Sequence, residues 1–413
     1  MKGRKIKTHV GLDVGTSKIV VVVAAENEEG AVDIIGAAIA PCASMRKGMV
    51  SDIEETVSAI SGALEEAERM AGIPINEAFV CIGGAHIESS NSKGVIAISG
   101  VGGEVTGEDI SRVVEAAKAI SQPTNREILH VIPRTYTVDG QSGVSDPAGM
   151  TGIRLEVDTH VISGSTPAIR NLTKCVLQSG LNIQELVFSG LAVSEILLSK
   201  KQKEIGVAVL DIGAGTTTLT VFEEGNVLHS AVVPVGASHI TNDIAIGLKT
   251  SLSTAEIVKI EYGSAEPESI PEREMIDLSK IDREEEQAVN RKYLAEIIEA
   301  RISEIFSLVK DELKSISRDG MLPAGVVLSG GGSKTSGLLS LAKETLRLPI
   351  SLGEPNLLLE GLVDKIKDPV FACGLGLAVY STKSKAQRES KVNLSAVGGV
   401  PGKVKDFFKQ FLP

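Results

Sequence analysis

The feature that most constrains this chain is a pattern that occurs twice, in distant parts of the sequence. At 9–41 and again at 206–236, an apolar run ends in aspartate, a turn rich in glycine and threonine follows, and two more β-rich runs come after it. Each copy predicts a strand–turn–strand–turn–strand meander with Asp13 or Asp211 at its first turn. The repetition indicates a duplicated α/β fold in which the two aspartate turns face each other across a cleft.

The two turns, DVGTSK (13–18) and DIGAGTTTL (211–219), have the composition of phosphate-binding loops. Glycine lets the backbone approach phosphate oxygens, and the exposed N–H groups of a tight turn form an anion-binding nest. Asp13 and Asp211 would then hold Mg²⁺ through water molecules, because this ion keeps much of its hydration shell. Either turn alone would also fit an ordinary hairpin, whereas the matched pair favours a nucleotide site. Further donors and charge would come from Thr16, Ser17, Lys18, Thr216 and Thr217.

A third glycine-rich turn follows an apolar run at 326–338, VVLSGGGSKTSGL. A triple glycine is common wherever a strand leads into a helix. After two phosphate turns, it predicts a flat backbone surface on which an adenine ring lies.

Charge and composition exclude several classes of protein. The net charge of −11 argues against a general nucleic-acid binder, which needs a broad basic surface. The apolar run at 19–25 is too short to span a bilayer and predicts a buried strand, so we expect a cytoplasmic protein. The four cysteines are dispersed without a CxxC pair, which predicts buried thiols rather than metal or disulfide chemistry: Cys42, Cys81, Cys175 and Cys373.

The segments between the meanders predict helices and one insertion. Apolar periodicity predicts a helix over 52–72 and a long amphipathic helix over 282–316. The region 85–165 has strands and a helix of its own and lies outside the repeat. A charged, proline-containing stretch at 263–282 predicts a surface excursion, and the polar, aperiodic 381–399 predicts a linker.

The order of motifs, DxGT, DxGxGT and SGGGS, resembles the actin, Hsp70 and sugar-kinase superfamily. Within it the chain is similar, over nearly its whole length, to the FtsA family of bacterial cell-division proteins. The specific stretches are the HVIP…VDG…DPAGM…RLEV pattern of 128–164, the segment 239–263 and the terminal helix. This resemblance implies an actin-like two-domain ATPase fold, with duplicated sheet-and-helix halves around a nucleotide cleft and an inserted α+β subdomain.

The resemblance also implies a division of the chain. The expected parts are subdomain 1A (1–84, continued by 166–203), subdomain 1C (85–165), subdomain 2A (204–243, continued by 321–380), subdomain 2B (244–320), a flexible linker (381–399) and an amphipathic membrane-targeting helix (400–413).

The family motifs assign site residues by position. They imply ATP and Mg²⁺ as ligands, with Glu256 and Lys259 facing the ribose and adenine, although spacing alone would fit a solvated i,i+3 pair. The implied phosphate residues are Asp13, Gly15, Thr16, Ser17, Lys18, Asp211, Gly213, Gly215, Thr216 and Thr217, and the implied adenosine pocket is completed by Gly330, Gly331, Gly332 and Ser333.

The sequence departs from the family pattern at several positions. Ala214 and Thr218 stand where relatives have glycine and aspartate, and Ser189 and Gly190 stand where relatives have Glu or Gln followed by Pro. In relatives that acidic or amide side chain orients the attacking water. Its loss lowers hydrolysis by a factor of roughly 10²–10⁴, so we expect ATP binding with slow or negligible turnover.

The terminal residues predict a membrane-surface helix. One apolar face collects Val404, Phe407, Phe408, Phe411 and Leu412, and the opposite side carries Lys403, Lys405 and Lys409. The alternative is a helix that docks on this protein or on a partner.

By resemblance, the protein forms actin-like polymers and lies at the cytoplasmic face of the membrane at the division site. It would bind the C-terminal tail of FtsZ through 244–320 and help to recruit other division proteins. Two alternatives remain open: a pilus-assembly adaptor similar to PilM, or a small-molecule kinase of the same superfamily.

Overall fold

The computed structural model describes residues 7–26, 32–120, 125–283, 285–355, 359–361 and 366–382. The strands are β1 Lys7–Val14, β2 Lys18–Glu26, β3 Val32–Pro41, β4 Met45–Arg46, β5 Met49–Val50, β6 Glu77–Ile82, β7 Ile87–Ala97, β8 Arg126–Val138, β9 Gln141–Val144, β10 Arg154–Ser165, β11 Asn182–Phe188, β12 Val207–Ile212, β13 Thr217–Glu223, β14 Asn226–Val233, β15 Met275–Asp277, β16 Ala288–Asn290, β17 Val326–Ser329, β18 Ile350–Leu352 and β19 Leu359–Gly361. The helices are α1 Ile53–Ala71, α2 Gly107–Ile120, α3 Thr166–Gln178, α4 Ser189–Leu197, α5 Lys200–Ile205, α6 Ala237–Leu248, α7 Leu252–Tyr262, α8 Arg291–Ser315, α9 Leu338–Leu346 and α10, whose described residues are 372–382.

The two large sheets have the same arrangement of strands. The first has the order β11-β6-β1-β2-β3-β19, and the second has the order β14-β13-β12-β17-β18. In both, an antiparallel meander is extended by a parallel strand next to its first strand, β6 in one case and β17 in the other. The predicted duplication is therefore confirmed. We call the parts built around the first and second sheets the first and second halves.

Helices α4 and α10 lie in a core shared by the two sheets. Gly376 of α10 packs so closely on α4 that a Cβ there would be 1.9 Å from the carbonyl oxygen of Ala192, and a Cβ at Gly11 of β1 would be 2.1 Å from that of Gly374. Glycine is required at such contacts because any side chain would separate the backbones. The shared core includes Val20, Val22, Ala192, Ile196, Val207, Val209, Val327, Leu375, Leu377 and Val379.

The insertion folds around a third sheet, of order β7-β10-β8-β9, with α2 packed on it. Three of its strands, β7, β8 and β10, also contact β14 of the second half, where two side chains reach Ser230. The Ser89 hydroxyl donates a hydrogen bond to the Ser230 carbonyl at 2.6 Å, and His160 Nε2 lies 3.1 Å from Ser230 Oγ. Hydrogen bonds therefore join the inserted sheet to the second half.

Helix boundaries follow local capping. Asp52 accepts a hydrogen bond from the Glu55 N–H at the start of α1, and Gly72, with φ of +70°, ends it. The predicted helix over 282–316 was too long, because Asn290 caps α8 and the residues before it form β16. Its apolar stripe is buried as predicted: Leu294, Ile298, Ile302, Ile305, Val309 and Leu313.

Two further expectations are corrected. The stretch 263–282 is more than a surface excursion, since Ile276 and Leu278 are buried in the core of the second half. Helix α10 continues to residue 382, two positions into the predicted linker. The remaining linker and the terminal helix lie outside the described residues. Among the described residues, every helix is too short or too polar to cross a lipid bilayer.

Candidate nucleotide site

A cavity of about 1010 Å³ lies where the aspartate turns of the two halves meet. This volume is sufficient for a nucleotide-sized ligand. The cavity brings together nearly all of the residues that the sequence singled out: Asp13, Gly15, Thr16, Ser17, Lys18, Asp211, Gly213, Gly215, Thr216, Glu256, Lys259, Gly330, Gly331 and Gly332.

Thr217 and Ser333 are not among the lining residues. Thr217 is fully buried, and its hydroxyl donates to the Val235 carbonyl at 2.8 Å. The Ser333 hydroxyl donates to the Gly330 carbonyl at 2.7 Å and so stabilises the triple-glycine turn from behind. Successive residues of a strand point to opposite faces, so it is Thr218 that lines the cavity.

The two aspartate turns have the same hydrogen bond and touch each other. The Gly15 N–H donates to the Lys18 carbonyl at 3.0 Å, and the Gly213 N–H donates to the Thr216 carbonyl at 2.9 Å. A Cβ at Gly215 would lie 2.6 Å from Thr16 Oγ1, which is too close for any other residue. The duplicated turns therefore form one continuous backbone surface at the junction of the halves.

The third turn packs on the second. Gly330 has φ of +81° and ψ of 170°, a conformation that is essentially restricted to glycine, and a Cβ there would be 2.5 Å from Asp211 Oδ1. A Cβ at Gly331 would be 3.3 Å from Lys18 Nζ. The lysine of the first turn therefore reaches across the cavity to the glycines of the second half.

Burial makes both aspartates costly to ionise. Burial raises the pKa of Asp13, and burial together with the charge of Asp13 raises the pKa of Asp211 to about 7. Burial also lowers the pKa of the Lys18 amine. A divalent cation beside both carboxylates would favour their ionised forms, so the donor set fits the predicted Mg²⁺.

Glu256 and Lys259 line the opposite part of the cavity and pair with each other. Lys259 Nζ lies 2.6 Å from Glu256 Oε2 and 2.8 Å from the Thr241 hydroxyl oxygen. The i,i+3 pair and the cavity-lining position are therefore both present. Sequence reasoning missed other lining residues here, including Ile260, Arg291 and Lys334.

Ser189, singled out above as a departure from the family pattern, is the first residue of α4. It lines the cavity, and its buried hydroxyl has no hydrogen-bond partner among the described residues. A Cβ at Gly83 would be 2.9 Å from its Oγ, so the hydroxyl lies against the loop that follows β6.

Two cysteines that are distant in sequence meet at the wall of the cavity. Cys81 Sγ of β6 and Cys373 Sγ of α10 are 3.1 Å apart, and both residues line the cavity. Both thiols lie within hydrogen-bonding reach of Asp13, and the ligand atoms of all three residues lie within 4.8 Å of one another. No local pattern in the sequence indicates this cluster, because the cysteines are separated by 292 positions.

Sequence comparison finds one family along most of the chain. A family model described as "Cell division protein FtsA" matches residues 208–376, and one described as "SHS2 domain inserted in FTSA" matches residues 84–163. The cell division protein FtsA of Pseudomonas aeruginosa is 39% identical over 92% of this chain and 90% of its own length. Those of Bacillus subtilis and Escherichia coli are 37% and 32% identical, over 93% and 98% of this chain and over 86% and 97% of their own lengths.

Solved structures show the same fold at low identity. The chain matches a structure described as a "PilM-PilN type IV pilus biogenesis complex" with a TM-score of 0.67 and 19% identity, over 91% of this chain and 98% of that one. It matches MreB5 of Spiroplasma citri bound to ADP with a TM-score of 0.55 and 13% identity, over 93% of this chain and 98% of that one. The predicted actin-like α/β fold is confirmed.

Proposed function

This chain belongs to the FtsA family of cell division proteins, and we propose that it binds ATP, polymerises like actin and tethers the FtsZ ring to the membrane. The observation that carries the nucleotide part is the single cavity lined by both aspartate turns and the triple-glycine turn. The MreB5 structure with ADP adds support, because that protein has the same fold and binds an adenine nucleotide.

In the proposed complex the nucleotide phosphates lie against the two turns. Asp13 and Asp211 hold the Mg²⁺, which would neutralise phosphate charge, and Lys18 pairs with a phosphate oxygen. Glu256 and Lys259 face the ribose and adenine, and the base lies on the backbone of Gly330, Gly331 and Gly332. Thr217 and Ser333 support this surface from behind.

Nucleotide binding is tested with Lys18→Met, measured by titration with a fluorescent ATP analogue and Mg²⁺. A hydrogen bond to a charged group contributes about 1.5–3 kcal/mol, so we expect about 10- to 100-fold weaker binding. Lys314→Met is the matched control, since Lys314 is exposed and pairs with Asp311 on α8. Equal affinities for the two variants would argue against a phosphate at Lys18.

Hydrolysis in this proposal is slow or negligible. The Ser189 hydroxyl is a poor acceptor for the proton of an attacking water, compared with the side chain that relatives place there. Replacing it by glutamate should speed phosphate release if the water lies beside this position. An unchanged rate in Ser189→Glu, with ATP still bound, would show that another group limits turnover.

The proposed subdomains have separate roles. Subdomain 1A (1–84 and 166–203) and subdomain 2A (204–243 and 321–380) hold the nucleotide between them. Subdomain 2B (244–320) binds the FtsZ tail, and the protein as a whole helps to recruit later division proteins.

The terminal segment provides the proposed attachment to the cytoplasmic face of the membrane. Each lysine near an anionic leaflet contributes about 1 kcal/mol, and aromatic side chains on the other face add burial in the interface. A helix this short is unstable alone in water, so one copy binds weakly. A polymer that carries many copies binds firmly through multivalency.

Attachment is tested by co-sedimentation with anionic liposomes. A chain that ends at Gly398 should stay in the supernatant, while the full chain pellets and Mg-ATP sharpens the binding curve. Within the helix, Phe408→Ser should weaken binding, and Gln410→Ser, off the apolar face, should not. If truncation changes nothing, the segment docks on protein instead of membrane.

The alternatives are less well supported. The chain shares its fold with the pilus complex at only 19% sequence identity, whereas its sequence identity to FtsA relatives is as high as 39%. A small-molecule kinase needs a base for the substrate hydroxyl, and the cavity-lining aspartates are already assigned to the cation.

A further inference from the structure

The Cys81 and Cys373 side chains, which the proposed nucleotide chemistry does not use, form a cluster with Asp13. The three residues come from three separate elements: the end of β1, strand β6 and helix α10. One sulfur from each cysteine and one carboxylate oxygen lie within 4.8 Å of one another. Three converging donors of this kind are the ordinary basis of a metal site.

The other two cysteines are placed differently. Cys42 Sγ lies 3.5 Å from the Ser44 hydroxyl, and Cys175 Sγ lies 3.9 Å from the Ile53 carbonyl, both within the core of the first half. Neither lines the cavity, and neither belongs to a cluster of three or more possible metal ligands among the described residues. Cys81 and Cys373 alone among these four meet an acid at a cavity wall that a small ion can reach.

The spacing of the sulfurs suits a tetrahedral cation better than a disulfide. With Zn–S bonds of about 2.3 Å, a tetrahedral site separates two sulfurs by about 3.8 Å. The observed 3.1 Å would need to increase by only about 0.7 Å, which lies within the 4.8 Å spread of the cluster. A disulfide would require the sulfurs to approach to about 2.05 Å.

We propose that Cys81, Cys373 and Asp13 form a binding site for a thiophilic divalent cation of the zinc class, with the fourth coordination position open to the cavity. Two thiolates and one carboxylate are a donor set that Zn²⁺ prefers and Mg²⁺ does not. The ion would connect α10 to the sheet of the first half. Where the proposed nucleotide function also holds, this ion and Mg-ATP compete, because both use Asp13.

The test is a titration of the full chain with Co²⁺ alone, which reports thiolate ligation through a sulfur-to-cobalt charge-transfer band. We expect one Co²⁺ per chain and displacement of the band by Zn²⁺. Cys81→Ser and Cys373→Ser should each weaken binding by at least about 100-fold, since even supporting residues around a metal contribute 10- to 100-fold. Cys42→Ser and Cys175→Ser, the matched controls, should keep the band.

A second measurement uses the wild-type chain, so it does not depend on folding of the variants. Alkylation of each cysteine is followed by peptide mass spectrometry with and without Zn²⁺. Selective protection of Cys81 and Cys373 supports the site. No charge-transfer band, a band that survives both substitutions, or equal protection of all four cysteines would overturn it. Co²⁺ binding without Mg-ATP binding would refute the nucleotide function and leave this site standing.

Discussion

His160 joins the insertion to the second half through a hydrogen bond with Ser230, and its protonation should lower the free energy of unfolding. Its ring is 1% exposed, with Nδ1 2.9 Å from Asn91 Oδ1 and Nε2 3.1 Å from Ser230 Oγ. Burial lowers the pKa of His160 to about 3, and the facing His229 and Arg134 act in the same direction. In the unfolded chain the ring has its ordinary pKa of 6.5. The folded state therefore binds fewer protons, and stability falls as the pH drops below 6.5.

The size of the effect follows from these two values. At pH 5 the unfolded ring is protonated and the folded ring is not. Because pH 5 lies 1.5 units below the pKa of the unfolded ring, and each unit corresponds to 1.36 kcal/mol, the free energy of unfolding is about 2 kcal/mol lower than at pH 7.5. The pKa of His130, lowered by burial to about 4, adds a loss of the same sign. The pKa of Asp211, raised to about 7, opposes both, because its folded form gains a proton over this range.

The assay therefore compares variants at two pH values, by urea unfolding followed by circular dichroism without Mg²⁺ or nucleotide. Between pH 7.5 and pH 5, His160→Gln should lose about 2 kcal/mol less than the wild type, because the contributions of His130 and Asp211 cancel in the comparison. Ser230→Ala removes the hydrogen bond but keeps the ring, so it should be less stable at both pH values and keep the wild-type pH dependence. Equal losses in wild type and His160→Gln would refute the reasoning.

Four substitutions in and beside the cavity should separate stability from binding. Gly330→Ala should cost about 1–3 kcal/mol in thermal unfolding and abolish ATP-analogue binding, since only glycine adopts its conformation easily; unchanged binding would contradict the assigned contact. Thr217→Ala should lower stability by about 1 kcal/mol and leave affinity intact, whereas Thr218→Ala should do the reverse in a binding titration. Asp211→Asn at pH 8 should raise the free energy of unfolding in the absence of Mg²⁺ by ~1 kcal/mol or more, because it removes a buried charge that Asp13 also repels, and should abolish Mg²⁺-dependent binding; a lower Tm would contradict the raised pKa.

The duplicated meanders were predictable because strand, turn and aspartate follow each other within a few residues. Their glycines also carry a local signal, since a tight turn restricts which residues fit. The sequence did not predict which of Thr217 and Thr218 faces the cavity, because this depends on the register of β13 against β14. The start of α8 was missed for a local reason: Asn290 is a strong capping residue within an otherwise helical pattern.

The cysteine cluster and the close packing of α10 depend on contacts across nearly the whole chain. Cys81 and Cys373 are separated by 292 positions, and no periodicity joins them. From the sequence alone, Gly376 would be interpreted as a glycine that weakens a helix. Its role in close packing follows only from its contact with Ala192. Both features become visible only when the first half is assembled.

The position of α10 affects the order in which the protein can fold during synthesis. Its residues Leu375, Leu377 and Val379 complete a core that includes segments made much earlier, among them β2 and α4. While the ribosome is still translating the second half, the first half presents that apolar surface to the cell. A nascent chain should therefore remain sensitive to protease, and dependent on chaperones that cover apolar surface, until 372–382 leave the exit tunnel.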